Sequence, residues 1–527
     1  MRYARKGQAV STEFKGEIHV AARVIDFLSS GLYQNAASCL KELINNSYDA
    51  DARHVLVSVK PEADLIIIED DGVGMSRDQF ETHFQNVAES HKRDDGQTTP
   101  GGRMKIGKIG IGFIAANELC DEMELYSTRR GSAELLHVTI NFGEIRERSF
   151  SQRREPAGQV KKGDYIGEIL EAGVDESYTQ VYLKEIRPSA REQFVRDTIA
   201  GGGEPAPSIY GLKPESVTKL LAGLDSWGEL DLYSQTRLHV GLNVPVAYLP
   251  EWAPEEYLPE LGSITRRAEE LGFAVTYDGT PLLKPTVLTD PKGRSILRTL
   301  HHEGEHISVT GYLFARHGAY KPKELNGLLI RIRESAVGDY DGTWLNYPPQ
   351  LSPLFKDWST CELHVEGTSQ HPGVDLDDAL NIERRTLRET HPATVELQEW
   401  FYSEFKSFLA DVRQELYTAP SRERAGERAA KQRKRLADVA DRAREAIGPE
   451  AAEAITDAFA TPKRRSDVPS PSVNGEPHSS ADDADPRVLL REYQAVQVYE
   501  AAVEAAAAVL PRELASAFLA ELIRRLT

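Results

Sequence analysis

Three polar side chains on one predicted helix are the first candidates for chemistry. Glu42, Asn46 and Asp49 are spaced i, i+4 and i+7 within residues 34–50, so a helix presents all three on one face. A carboxylate and a carboxamide one turn apart offer oxygen ligands to a hard cation and can orient a water molecule. Charged residues on a solvated helix face form the same pattern, so both interpretations stay open for the triplet alone.

A second candidate cluster follows a predicted strand. The apolar run LIIIED ends at Asp70, and the sequence DDGVGM starts there. A carboxylate at a strand end can accept a hydrogen bond from an exocyclic amine, and glycines such as Gly72 and Gly74 let a ligand approach the backbone. The same D-D-G pattern is also typical of an ordinary turn.

A third candidate is the glycine-rich sequence GKIGIGF, which starts at Gly107. Glycines just before a helix expose backbone N–H groups, and the helix N-terminus adds positive potential, which together favour phosphate binding. Two similar motifs fit poorly. A P-loop needs Ser or Thr where Ile109 stands, and a dinucleotide fingerprint needs a preceding strand, which KIGK does not predict.

The elements that position these residues follow from periodicity. Val55, Val57 and Val59 alternate as on a half-buried strand, and ELYS, LLHVTINF and YTQVYLKEI predict further strands. The sequence AGGGEPAPS at 200–208 favours a domain boundary, and after it α/β patterns resume before a helical C-terminal region. The predicted organisation is an α/β domain at 1–200, a second α/β domain at 209–392, a helical region at 393–460, a disordered linker at 461–486 and a helical tail at 487–527.

Composition limits the classes of partner. Of 527 residues, 63 are Lys or Arg and 82 are Asp or Glu, so the formal charge of −19 gives no general attraction to nucleic acid or to anionic lipid. A local basic patch at 422–435, with seven Lys/Arg against two Glu, is the exception. Three separated cysteines and the lack of a long apolar run predict a cytoplasmic protein without membrane contact.

One metal motif is also present. The sequence HEGEH at 302–306 satisfies the H-E-x-x-H pattern of zinc proteases, which requires a helix. Because Gly304 lies between segments that alternate like strands, the sequence predicts a β-hairpin there instead.

Taken together and in this order, the three candidate clusters resemble the ATP-binding domain of the GHKL superfamily, which includes gyrase B, chaperones of the heat-shock-protein-90 type, histidine kinases and MutL. ELINNSYDA resembles the N box, DDGVGM the first glycine box and IGKIGIGF the second. The resemblance implies a Bergerat-type α/β sandwich that holds ATP and Mg²⁺ under a lid at about 87–106.

The resemblance also implies roles for single residues. Glu42 would be the general base, Asn46 the magnesium ligand and Asp70 the acceptor for the adenine amine. Thr179 in YTQVYL would support that aspartate through water. The further ATP-binding residues that the resemblance implies are Asp49, Gly72, Gly74, Met75, Lys92, Gly107, Lys108, Gly110, Gly112 and Phe113.

The second region extends the resemblance to the chaperone's middle domain. In LDDALNIERRTLRET, Arg384 would reach the γ-phosphate, although a helix-face arginine is an alternative interpretation. The resemblance favours a magnesium-dependent ATPase that remodels a protein client, with a homodimer as the family expectation. Two other hypotheses stay open: a MORC-like or MutL-like clamp on nucleic acid, for instance in anti-phage defence, and a nucleotide-gated scaffold with little turnover.

Overall fold

The computed structural model describes most of the chain in two compact units. The first unit covers the described residues up to Val412, and the second covers those from Arg413 onward. The described residues are 35–85, 98–106, 115–144, 146, 165–196, 204–350, 352–368, 376–381, 386–460 and 486–526.

The first sheet of the first unit has eight strands in the order β5-β4-β3-β6-β2-β1-β7-β8. All its strand pairs are antiparallel except β1 with β7, which run parallel. Its strands are β1 (His54–Lys60), β2 (Leu65–Asp70), β3 (Cys120–Thr128), β4 (Glu134–Asn141), β5 (Tyr165–Glu171), β6 (Tyr178–Ile186), β7 (Ala274–Tyr277) and β8 (Thr280–Pro281).

The second sheet has five strands in the order β12-β11-β13-β10-β9. Strands β11 and β13 pair in parallel, and the other pairs are antiparallel. Its strands are β9 (Ser295–Glu303), β10 (Ile307–Arg316), β11 (Gly327–Ile332), β12 (Ser335–Ala336) and β13 (Ser359–Gly367).

Helices cover the sheets of the first unit and form the second unit. In the first unit they are α1 (Ala36–Asp49), α2 (Arg77–Gln85), α3 (Ala116–Leu119), α4 (Pro188–Glu192), α5 (Pro214–Gly223), α6 (Leu232–Asn243), α7 (Leu258–Glu270), α8 (Pro353–Lys356), α9 (Leu376–Ala379) and α10 (Pro392–Asp411). In the second unit they are α11 (Ala419–Ala446), α12 (Pro449–Ala460), α13 (Pro486–Val509) and α14 (Arg512–Leu526).

Helix α1 packs into the core that it shares with the first sheet. Its buried apolar side chains include Leu40 and Ile44, which join Val57 and Ile66 of the sheet in one cluster. The same core takes Tyr233 and Val240 from α6, Val275 and Tyr277 from β7, and Leu282 directly after β8. The apolar face of α1 is buried in this core. Glu42 and Asn46 lie on another face of the helix, where Glu42 is half-buried and Asn46 is exposed.

The structure confirms the predicted fold class, a mixed α/β sandwich followed by a second α/β region and a helical C-terminal region. The sequence did not predict that β7, which comes from the second region, joins the first sheet. The structure pairs it with β1. The division at 200–208 stays a prediction, and the sheet contains strands from both sides of it. The predicted linker at 461–486 lies outside the described residues except for Pro486, which begins α13.

The HEGEH sequence forms a β-hairpin, as predicted, because β9 ends at Glu303 and β10 begins at Ile307. His302 stacks on Trp400 with 4.9 Å between ring centroids, and its Nε2 lies 3.2 Å from Glu396 Oε1. These contacts give the motif a packing role between the hairpin and α10. In the part of the chain that the structure describes, no helix is long and apolar enough to span a lipid bilayer.

Candidate functional site

Helix α1 presents the first two candidate residues on an accessible face. The helix starts at the N-cap Asn35, whose side chain accepts a hydrogen bond from Ser38 N at 2.8 Å. Glu42 is half-buried and Asn46 is exposed one helical turn later. A carboxylate and an amide oxygen therefore face the same side without being buried in the core.

Asp70 lies at the end of β2 beside the C-terminal half of α1. Its Oδ2 accepts a hydrogen bond from Ser47 Oγ at 2.8 Å, and its Oδ1 accepts one from Gly72 N at 3.0 Å. Burial raises the pKa of Asp70 to about 6, although the hydrogen bonds from Ser47 and Gly72 oppose this shift. The carboxylate keeps lone pairs for a further donor, such as an exocyclic amine.

The neighbouring Asp71 has a different task. Its Oδ1 accepts hydrogen bonds from Arg53 N at 2.6 Å and from His54 N at 2.9 Å, and its Oδ2 lies 3.0 Å from His54 Nδ1. Desolvation acts to raise the pKa of Asp71, but the hydrogen bonds from His54 and Arg53 outweigh it and lower the pKa. Asp71 thus fixes the start of β1, while Asp70 accepts one hydrogen bond from α1 and one from the glycine loop.

Gly72 and Gly74 let the loop after β2 pass close to the backbone of Ala50 and Thr128. A Cβ on Gly72 would lie 2.7 Å from Ala50 O, and a Cβ on Gly74 would lie 1.8 Å from Thr128 O. Gly74 also has a φ of +68°, a conformation that glycine adopts without strain. Both glycines are therefore required by the path of the loop, whatever the loop binds.

Ser127 connects this loop to the middle of the sheet. Its Oγ accepts a hydrogen bond from Met75 N at 2.9 Å and lies 3.0 Å from Thr179 Oγ1. In the sheet register Thr179 stands directly opposite both Asp70 and Ser127. Ser127 thus links Met75 to Thr179, and Thr179 stands beside Asp70 in the sheet.

The last part of the predicted lid, residues 98–106, packs against the C-terminal end of α1. Asp49 accepts a hydrogen bond from Ile106 N at 2.7 Å, and Asp51 accepts one from Gly101 N at 2.7 Å. Arg103 donates to Ala52 O at 2.5 Å. Asp49 therefore holds this segment in place, and its predicted contact with ATP stays a prediction.

Several predicted residues cannot be placed. Lys92, Gly107, Lys108, Gly110, Gly112, Phe113 and Arg384 lie outside the described residues. Sequence reasoning missed Ser47, Ser127 and Asp51. Ser47 alone left a signal, because a serine on the otherwise apolar face of α1 indicates a buried partner for its hydroxyl.

The donor set fits a magnesium ion that is shared with phosphates. Asn46 supplies an uncharged amide oxygen on the exposed face, and Glu42 supplies a carboxylate one turn away. Mg²⁺ keeps several water or phosphate ligands and takes only one or two from protein, so Asn46 would suffice as the protein ligand. Bound there, the ion would neutralise phosphate charge.

Comparisons with known proteins were consistent with this arrangement. Residues 33–163 match the family described as histidine kinase-, DNA gyrase B- and HSP90-like ATPase. This segment contains α1, the DDGVGM loop and the glycine-rich sequence from Gly107.

Three curated relatives show the same similarity over part of the chain. A putative type II restriction enzyme HgiDII of Herpetosiphon aurantiacus is 34% identical over 173 residues, which is 33% of this chain and 26% of the relative. The chaperone protein HtpG of Bacillus subtilis (strain 168) is 29% identical over 201 residues, 34% of this chain and 30% of the relative. The mitochondrial heat shock protein 75 kDa of Bos taurus is 31% identical over 219 residues, 37% of this chain and 28% of the relative. The chain thus matches less than a third of the length of each of these relatives.

Proposed function

We propose that the protein binds ATP at Asp70 and hydrolyses it, because residues 33–163 match the histidine kinase-, DNA gyrase B- and HSP90-like ATPase family and parts of the chain are similar to three relatives. The observation that carries the proposal is the geometry around Asp70. An accessible carboxylate is oriented by Ser47 and Gly72, next to the glycine loop and one strand from Thr179.

The residues of the site divide the work between the two ends of a nucleotide. Asp70 accepts a hydrogen bond from the adenine amine, and Thr179 and Ser127 keep the surrounding polar network in order. Glu42, on the open face of α1, acts as general base for the attacking water. Asn46 holds Mg²⁺ beside the phosphates.

The test separates binding from turnover. Asp70→Asn places an amide where the carboxylate accepts, so isothermal titration with an unhydrolysable ATP analogue is expected to show no measurable binding. Glu42→Ala is expected to bind the analogue like wild type and to lose about 10²–10⁴-fold in turnover, the usual contribution of a general base. Unchanged affinity of Asp70→Asn would contradict the proposed adenine site, and wild-type turnover of Glu42→Ala would contradict the proposed base.

For the whole chain we propose a chaperone-like role in which ATP drives a rearrangement of a homodimer around a protein client. The similarity to HtpG and to the 75 kDa heat shock protein supports this role for the N-terminal region. Arg384 is proposed to sense the γ-phosphate. Arg384→Ala is expected to bind ADP like wild type and to hydrolyse ATP much more slowly, whereas Arg385→Ala has little effect.

A second candidate function, an ATP-gated clamp on nucleic acid, is favoured by one surface of the second unit. Arg428, Lys431 and Arg435 are exposed on α11 at i, i+3 and i+7, which aligns three cations along one helix face. The similarity of the N-terminal region to a putative restriction enzyme is compatible with this function.

A gel-shift assay distinguishes the two functions. If the clamp hypothesis holds, duplex DNA binds more tightly with an unhydrolysable ATP analogue than with ADP. Replacing Arg428, Lys431 and Arg435 together by Ala then weakens binding and flattens its salt dependence. The matched control replaces the exposed Lys213 and Lys219 by Ala. If wild type binds no DNA, or if the triple variant and the control variant bind DNA equally, the protein client stays the proposed substrate. ATP binding without turnover in wild type would instead favour the nucleotide-gated scaffold.

A further inference from the structure

The turn between β11 and β12 has an unusual composition for its conformation. Arg333 and Glu334 are the two residues of this hairpin loop, and their φ angles are +55° and +63°. A two-residue hairpin with both residues in the left-handed region is usually Asn-Gly or a similar pair, because other side chains are strained there. The two strained side chains therefore point to a task that Asn-Gly could not perform.

Glu334 anchors the turn in the second sheet. It is 3% exposed, its Oε2 lies 2.7 Å from Lys284 Nζ, and its Oε1 lies 2.7 Å from His364 Nδ1. These residues belong to what we call the buried charge cluster, whose members are all less than 5% exposed: Lys284, Arg331, Glu334, Glu362 and His364. A turn tied to this cluster is held rigidly.

Arg333 reaches in the other direction, toward the candidate nucleotide site. Its Nη1 donates a hydrogen bond to the backbone oxygen of Lys105. Lys105 lies in the segment 98–106, two residues before Gly107, the first glycine predicted to bind phosphate. The turn of the second sheet thus contacts the chain directly before the predicted phosphate-binding glycines.

The same segment is fixed on its other side. Ile106 N donates to Asp49 at the end of α1, and Arg103 Nη2 donates to Gly272 O at 2.9 Å. Arg103 also lies over the ring of Tyr48, 5.1 Å from its centroid. With these contacts in place, Arg333 adds a link from this segment to the second sheet.

We propose that Arg333 is a positioning residue for the phosphate end of the nucleotide: it holds the Lys105 carbonyl, in the segment directly before the glycines that the sequence predicts to bind phosphate. The proposal rests on the proposed function. Adenine recognition does not depend on it, because Asp70 and Thr179 are ordered by contacts within the first sheet and with α1. Loss of Arg333 should therefore weaken phosphate binding and leave adenine binding unchanged.

The experiment compares ADP with adenosine by isothermal titration on the full chain. The main variant is Arg333→Asn, because asparagine tolerates a positive φ and keeps the turn. We expect its ADP affinity to fall about tenfold, the effect of one lost hydrogen bond from a charged donor, while its adenosine affinity stays within about twofold of wild type. Arg333→Lys keeps a cationic donor and is expected to restore part of the ADP affinity.

Arg266→Ala is the matched control. Arg266 is an exposed arginine of α7 whose Nε donates to Gly262 O within its own helix, so neither affinity should change. Equal losses for ADP and adenosine in Arg333→Asn would overturn the proposal, because they indicate general damage, and so would unchanged ADP affinity. Failure of wild type to bind either ligand would overturn the proposed function itself.

Discussion

Carboxylate pKa values shift in opposite directions at the Asp70 site and in the buried charge cluster. At Asp70, burial raises the pKa to about 6, and among the described residues no cation forms an ion pair with it. In the second sheet, burial would also raise the pKa of Glu334 and Glu362. Contacts with His364, Lys284 and Arg331 outweigh it, so both pKa values are lowered.

This difference distinguishes a carboxylate that binds from one that holds the fold together. Glu362 accepts hydrogen bonds from Arg331 Nε and from Tyr248 Oη, the latter at 2.7 Å, and it is fully buried. Asp70 accepts from neutral donors only and remains half-buried. A carboxylate without a cation is costly to bury, and a ligand that donates to it relieves part of that cost.

Removing one partner from the buried charge cluster is expected to have the largest effect. Glu362→Ala leaves the fully buried Arg331 without its counter-charge, which typically costs about 3–5 kcal/mol in the free energy of unfolding. Urea denaturation followed by circular dichroism measures the loss. The control is Glu366→Ala on the same strand, where a half-exposed carboxylate pairs with Arg267 and about 0–1 kcal/mol is expected.

Similar losses in these two variants would contradict the structural role of the cluster.

Lys284 offers a second check on the cluster, because burial and repulsion from Arg331 lower its pKa to about 8. A lowered lysine pKa means that the folded state releases a proton more easily than the unfolded state. The contribution of Lys284 to stability therefore decreases as the pH falls below about 10 and levels off below about 8.

Neighbouring aspartates give the sharpest form of the comparison. The native pKa of Asp70, about 6, lies above the ordinary 3.8, so the folded state binds more protons than the unfolded state between about pH 4 and pH 6. The free energy of unfolding therefore falls as the pH rises through this window. In the ligand-free protein, Asp70→Asn is expected to be more stable than wild type by about 1–3 kcal/mol at pH 7, and this gain is expected to disappear near pH 4.

Asp71→Asn is expected to do the reverse. The pKa of Asp71 is lowered, so its charged form stabilises the fold, and the variant loses about 1 kcal/mol at pH 7 but little at pH values below the native pKa of Asp71. Side-chain exposure of 47% keeps this effect small. Thermal melts of both variants from pH 2 to pH 8 measure the two trends, and equal signs would contradict the different roles of the two residues.

Nucleotide binding gives the same comparison a functional readout. Protonated Asp70 becomes a donor on one oxygen, so adenosine affinity is expected to decrease as the pH falls below about 6. Titrations at pH 5, 6, 7 and 8 test this, with adenosine used because it carries no phosphate that titrates. A flat profile would exclude the Asp70 carboxylate as the acceptor for adenine.

Local patterns in the sequence predicted the elements that carry the site. Helix α1 and strands β1 and β2 were predicted because their periodicity and flanking residues are unambiguous over short distances. Strand β7 pairs with β1 across more than 200 residues, and such a pairing depends on tertiary packing that no local pattern records.

The buried charge cluster was also invisible in the sequence. Lys284, Glu334 and Glu362 belong to residue types that usually lie at the surface, and their burial is tolerated only because the cluster balances their charges. Ser127 was missed for a related reason, since its partners Met75 and Thr179 lie about 50 residues away on either side. Side-chain networks of this kind can be predicted only when the fold is known.

The smallest expected effect concerns this serine, which orders the Asp70 site without a charge. Ser127→Ala removes the acceptor of Met75 N–H and the contact with Thr179 inside the sheet, where Ser127 is fully buried. A loss of about 1 kcal/mol in the free energy of unfolding is expected, together with weaker ADP binding, because the loop of Gly74 and Met75 borders the proposed adenine site. The control is Ser132→Ala, where a half-buried serine in a turn accepts from Glu134 N at 3.2 Å and a change within about 0.5 kcal/mol is expected. If Ser127→Ala lowers stability but binds ADP like wild type, the serine only supports the sheet. If it lowers both, the neutral network around Asp70 orients the binding site in the way that ion pairs stabilise the second sheet.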